Sequence, residues 1–183
     1  MGHYPTRFEA YPAERFIEIA IAWADHAWPI TVEQAQRVYE SLGYHAYPPD
    51  PSLFISDLSA DGEPDSYYTS IDNHVNSIRP TIATRCLAEE KSKYSSLVSE
   101  TYAAYCAAFE RTFSNITNHL QTNRADEWTI RSDEWTLDND VRIGIGNIGV
   151  TIAFFICSPY MTQLLREEQE MGLTSYDEIL EDD

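Results

Sequence analysis

The sequence predicts an α+β protein with an antiparallel sheet of about five to six strands and helices packed mainly on one face. Three observations predict it. From Ser92 to Leu120, apolar residues recur at helical spacing over a length that could cross a whole sheet. Segments of period two, rich in Val, Ile, Tyr and Trp, flank that stretch on both sides. Two of them are joined by Gly146-Asn147, a dipeptide that favours a tight hairpin and hence antiparallel neighbours.

The elements follow in chain order. Residues 1–12 form an irregular arm. Phe16, Ile19, Ala20, Trp23 and Ala27 make the buried stripe of a first helix, Ala13 to Ala27, which Pro29 ends. Thr31 caps a second helix, Val32 to Leu42, with Val38 and Leu42 inward and Gly43 as its left-handed stop. Tyr44 to Pro51 is a proline- and aromatic-rich loop. Leu53–Ile55 and Tyr67–Ile71 read as strands, linked by a polar segment, Asp57 to Asp65, that contains the turn signal Asp61-Gly62. A third strand is expected near Ile78 to Cys86, broken or edged by Pro80.

After the long helix, Trp128–Ile130 and Trp135–Leu137 read as short strands. Placing the hairpin turn at Gly146-Asn147 sets Ile145 opposite Ile148, Ile143 opposite Val150 and Val141 opposite Ile152, all on one face, with Gly144 meeting Gly149 on the other. Ser158 then caps a last helix, opened by Pro159 and running to about Glu170. The chain is one domain, 1–183, closed by an acidic tail over 171–183; from Glu167 onward it holds eight acids and no base.

Composition narrows the function. Hydrophobic residues make up 43% of 183 positions, enough for a core without disulfides or metal. Cys86, Cys106 and Cys157 are odd in number, form no C-x-x-C, and read as core residues in a reducing compartment. Thirty acids against twelve bases give a formal charge of −18. Such a field repels phosphate backbones and anionic lipid, so the expected partners include no nucleic acid and no membrane. It attracts a basic protein surface and speeds encounter with it. With no signal peptide and no apolar stretch long enough to span a bilayer, the expected location is cytoplasmic.

Gly144-Ile145-Gly146-Asn147-Ile148-Gly149 matches G-x-G-x-x-G, but strand-forming residues follow where a dinucleotide site needs a helix. Asp57-x-Ser59-x-Asp61-Gly62-x-x-Asp65 imitates a calcium loop, yet Tyr68 stands where the closing Glu belongs. The histidines, His3, His26, His45, His74 and His119, lack metal-ligand spacing. Asp72-Asn73-His74 could orient an imidazole, but no nucleophile is indicated beside it. No catalytic residue, cofactor or metal is expected. Between Arg37 and Arg79, however, seven acids occur without a base, interleaved with tyrosines. Acids steer and aromatics anchor, so Tyr47, Asp57, Asp61, Glu63, Asp65 and Tyr67 are the expected partner-binding residues. Solvated acids and core tyrosines are the plainer alternative.

The landmarks Trp23, Trp28-Pro29-Ile30-Thr31-Val32 and Leu42-Gly43-Tyr44, with Trp135-Thr136-Leu137 and Cys157-Ser158-Pro159, resemble those of small acidic actinobacterial proteins encoded beside secreted toxins. The type is the immunity factor of tuberculosis-necrotizing-toxin-like NAD-degrading enzymes. The resemblance implies a cytoplasmic antitoxin that plugs the cleft of a cognate toxin until export. It assigns no inhibitory residue, because the matching positions are core landmarks. An acidic secretion chaperone or adaptor is the alternative, and an enzyme of unrecognised type stays open as a third.

Overall fold

The computed structural model describes residues 7–124 and 128–172. Among them are four α-helices and one eight-stranded sheet. Helix α1 (Ala13–Ala24) buries Phe16, Ile19, Ala20, Trp23 and Ala24, and stops short of the expected Ala27. Helix α2 (Val32–Ser41) starts with a capping box. Gln34 N donates to Thr31 Oγ1 at 3.2 Å, and Thr31 N donates to Gln34 Oε1 at 3.0 Å. Its buried residues are Ala35 and Tyr39, and Gly43 beyond it takes the left-handed φ of +88°. The last helix, α4 (Pro159–Glu170), begins as expected, with Met161 N donating to Ser158 Oγ at 3.2 Å.

Helix α3 spans Lys91–Thr112, not Ser92 to Leu120. Ile116 and Leu120 belong to a strand, β5 (Ile116–Asn123), and continue the helical spacing only by coincidence. Pairing with the next strand along its whole length overrides local preference there. Three more strands follow: β6 (Arg131–Leu137), β7 (Arg142–Asn147) and β8 (Ile152–Cys157). The expected strand at Trp128–Ile130 is absent, and Trp128 is 71% exposed ahead of β6. The first half supplies β1 (His45–Tyr47), β2 (Asp50–Ile55), β3 (Ser66–Ile71) and β4 (His74–Arg79). β1 lies in the segment read as a proline-rich loop. β4 ends at Arg79, before Pro80 rather than across it.

The sheet order is β1-β2-β3-β4-β8-β7-β6-β5, antiparallel throughout. It is two four-stranded meanders, one from each half of the chain, joined where β4 meets β8. The sheet therefore has eight strands instead of the expected five to six. The β7–β8 register also differs from expectation. Ile145 faces Phe154 and Ile143 faces Ile156, because the turn is Ile148–Thr151 and Gly146-Asn147 lie inside β7. Gly149, at φ +84°, takes the left-handed position, and its N–H donates to Asn147 Oδ1 at 2.9 Å. The displacement is an even number of residues, so the isoleucines keep the buried face.

One face of the sheet receives three helices, each through an aromatic pair. Phe16 of α1 meets Phe154 of β8 at 5.2 Å between centroids. Tyr39 of α2 stacks on Phe54 of β2 at 4.2 Å, and Phe109 of α3 stacks on Trp135 of β6 at 4.2 Å. α4 packs against β4 apart from that layer, so the expected one-sided arrangement of helices is not clearly met. Among the described residues no helix is long and apolar enough to cross a membrane. The arm is anchored from Arg7 onward: Phe8 is buried and Ala10 bridges Ala83. Residues 1–6 and 173–183 of the expected arm and tail lie outside the described residues.

Alternation gives the opposite face a row that runs Leu53, Tyr67, Arg79, Phe155, Gly144, Glu134 and Leu120 across the strands. Phe155 lies directly over Gly144, where a Cβ would overlap its ring, whereas Gly146 has open space. Gly144→Ala should therefore destabilise the fold by about 1–3 kcal/mol through overpacking. Gly146→Ala should stay within roughly 0.5 kcal/mol of the native protein. Urea unfolding of the two variants checks the contrast.

Candidate functional site

A groove of about 710 Å³ opens beside this second face. One wall is the β2–β3 loop, with Leu58, Asp61, Glu63 and Pro64. The other is the segment after β4, with Arg85, Cys86 and Leu87. Tyr67, Arg79 and Ala153 contribute from the strands between.

Both walls are tied to the sheet. Asp65 accepts from Ser56 N at 3.0 Å, from Ser56 Oγ at 2.5 Å and from Ser66 Oγ at 3.1 Å, which closes the base of the loop. Asp61 accepts from Glu63 N at 3.0 Å and from Ser59 Oγ at 3.3 Å at the tip, where Gly62 has φ +75°. Opposite, Thr81 N donates to Ser66 Oγ at 2.9 Å, Thr84 Oγ1 donates to Arg7 O at 2.7 Å, and Cys86 N donates to Val150 O at 3.0 Å. The groove is thus built before anything binds.

The six expected partner-binding residues are divided by this geometry. Asp61, Glu63, Asp65 and Tyr67 line the one groove. Asp61 and Glu63 are exposed, and Tyr67 is 39% exposed. Asp65 is half-buried and spends its oxygens on the loop. Asp57 is exposed but does not line the groove, and Tyr47 sits at the far edge of the sheet on β1. Tyr44, also in the acidic stretch, is core, and burial raises its pKa. Tyr68 is likewise buried, at the position where a calcium loop would need its closing carboxylate.

A second groove, of about 590 Å³, lies at the other end of β3. Trp28, Pro29, Val75 and Tyr160 line it, together with Ile71 and Asp72 at the β3–β4 turn. Ile71 and Tyr160 are each 59% exposed. Asp72 and Asn73, at φ +49° and +64°, are the central pair of that turn, a hairpin signal in the sequence that went unread. His74 Nδ1 donates locally, to Asp72 O at 3.0 Å.

The structure also assembles a polar cluster that sequence reasoning missed. Asp133 of β6 is fully buried. It accepts from Tyr102 Oη at 2.7 Å, His119 Nε2 at 2.8 Å, Arg131 Nε at 2.9 Å and Cys106 Sγ at 3.5 Å. Burial alone would raise its pKa. The hydrogen bonds from Arg131, Tyr102 and His119 outweigh that and hold it below the usual carboxylate value. Burial, with the Asp133 charge beside it, pushes the Cys106 thiol up to about 12. A carboxylate whose lone pairs are all engaged is a poor base, and a neutral thiol a poor nucleophile. The cluster reads as a tie between α3, β5 and β6.

A family model described as a family of unknown function (DUF6301) matches residues 14–158. The chain belongs to this family. The DUF6301 span runs from α1 to the cap of α4 and holds all eight strands, the first groove and the Asp133 cluster. Tyr160 and Gln163 of the second groove lie beyond it. No curated protein and no solved structure matches the chain.

Asp133→Asn should destabilise the protein by ~3 kcal/mol near pH 7. That is the low end for a broken buried ion pair, because Arg131 and His119 keep about a third of their side chains in water. A carboxyl with a lowered folded pKa stabilises above its unfolded pKa, roughly 3.9, and loses that contribution as pH falls through the folded value. The stability gap between native and variant should therefore close below about pH 4, measured by urea unfolding across pH.

Proposed function

We propose that this DUF6301 protein binds a folded protein through the first groove and inhibits it sterically, as an immunity protein does a secreted toxin in the producing cell. The observation that carries the reading is the groove itself. A preformed cleft beside the sheet face opposite the three docked helices has an acidic loop as one wall and an exposed tyrosine within it. Asp61 and Glu63 stand where an approaching basic surface would meet them first, so they set the rate of encounter. Tyr67 and Leu87, 39% and 46% exposed, supply area that a partner can bury, and so govern dissociation. The resemblance to toxin immunity factors points to a toxin of the NAD-degrading type as that partner, and to a cytoplasmic location. Catalysis forms no part of this proposal.

A second reading, a secretion chaperone or adaptor, is favoured by the second groove. Trp28, Ile71 and Tyr160 present apolar surface there without a lysine or arginine in the lining. A chaperone would hold an unfolded segment in that groove, while an immunity protein holds one folded partner at standard interface size.

The test begins with the partner captured from native cells on the immobilised full chain and then purified. Stoichiometric protein should abolish that partner's activity. An Asp61→Asn/Glu63→Gln variant should associate several-fold more slowly, with a shallower dependence on salt, while dissociating at the native rate. Capture that is unaltered by this variant across salt, or a partner whose activity is unaffected, would contradict the reading.

A further inference from the structure

We propose that Arg79 and Arg142, held on the Phe155 ring, form an oxyanion site that receives a carboxylate side chain from the bound protein. The proposal rests on the docking reading above and names what this face recognises.

The site follows from register. β4 and β7 are the two neighbours of β8, so Arg79 and Arg142 reach Phe155 from opposite sides on the same face. Their guanidinium carbons lie 5.5 and 5.8 Å from the ring centroid. The ring can occupy that place because Gly144 opposite it has no side chain. One glycine therefore makes room for one ring, and the ring seats two cations by cation–π attraction.

Their charge is left uncompensated. In a chain of −18, with twelve bases among thirty acids, arginines have ample choice of partners. Arg7, Arg15, Arg131 and Arg166 take them. Arg37, Arg79, Arg85, Arg111, Arg124 and Arg142 form no ion pair among the described residues, and of these six Arg79 and Arg142 share one ring. Among the described residues neither Arg79 nor Arg142 has a carboxylate within 4.0 Å. Glu134, the acid of the same row, stands across from Gly144 and pairs with neither. Among the described residues the Arg142 side chain donates to Cys157 Sγ, a weak acceptor, at 3.5 Å, and its buried Nε has no partner. Two like charges gathered on one ring repel, and a bound anion relieves that repulsion.

A carboxylate fits better than a phosphate. Planar guanidinium forks match a planar carboxylate edge. A polyanion would meet the field of the whole chain, whereas a single Asp or Glu on a basic protein would not. The groove lining holds Asp61, Glu63 and Arg79, and Arg142 stands outside it across the Phe155 ring, so acids and the cationic pair alternate along this face and would fix a partner's register.

The test needs no partner. Arginine Nε–Hε signals of the full chain are followed by NMR while propionate, a mimic of the Glu side chain, is added at constant ionic strength against chloride. Inorganic phosphate forms a second arm. The Arg79 and Arg142 signals should move saturably with propionate, and Arg79→Gln should weaken the Arg142 response about tenfold, the loss of one charge-assisted hydrogen bond. Arg79 is exposed, so that variant keeps the fold. A propionate response no larger than chloride's, or saturation with phosphate alone, would overturn the site. Failure of the docking reading would leave this result untouched.

Discussion

Three ring-on-ring contacts organise the molecule. Phe16 on Phe154, Tyr39 on Phe54 and Phe109 on Trp135 each fasten one helix to one strand of the same sheet face. Further pairs join the helices to each other: Phe16 stacks on Tyr105 at 4.5 Å, and Trp23 meets Tyr39 edge-on at 5.1 Å. The strands that carry these rings come from both meanders, so the docks also hold the two halves of the chain in one sheet. Aromatic burial of this kind dominates core energetics, and it commits one face entirely to stability.

On the other face, packing residues also position charges. Gly144 and Phe155 are a packing pair, yet the same pair seats Arg79 and Arg142. Asp65 is an acid of the groove-lining loop, and its oxygens hold the loop's base closed. Asp61 and Glu63 stay exposed while Asp65 and Ser56 keep the loop in place. The Asp133 cluster is the reverse case. It gathers a His, a Cys and an Arg around a buried acid, as a catalytic centre might, and then saturates that acid with donors.

Much of this was legible in the sequence. The stripes of α1 and α2, the caps at Thr31 and Ser158, the β2–β3 hairpin and the strand alternation are local signals, and local chemistry decides them. The errors arose where a distant partner decides. β5 resembles the end of α3 until β6 pairs with it. Gly146-Asn147 and Gly149 both signal a turn, and the Asn147 side chain chooses between them by accepting from Gly149. For the site, a charge run pointed to Asp61, Glu63 and Tyr67 but could not separate them from Tyr47, which the fold carries to another edge. The arginine pair was invisible, because only the β4–β8–β7 register brings residues so far apart in sequence onto one ring.

The central claim is that recognition belongs to the sheet face opposite the aromatic docks. Hydrogen–deuterium exchange of the full chain, alone and saturated with its purified partner, tests it most directly. The account predicts new protection over residues 58–67 and 79–87 and in β8 around Ala153, with α1 to α3 unchanged. Protection confined to the exposed sides of α1 to α3, or to the β5 edge, would contradict it.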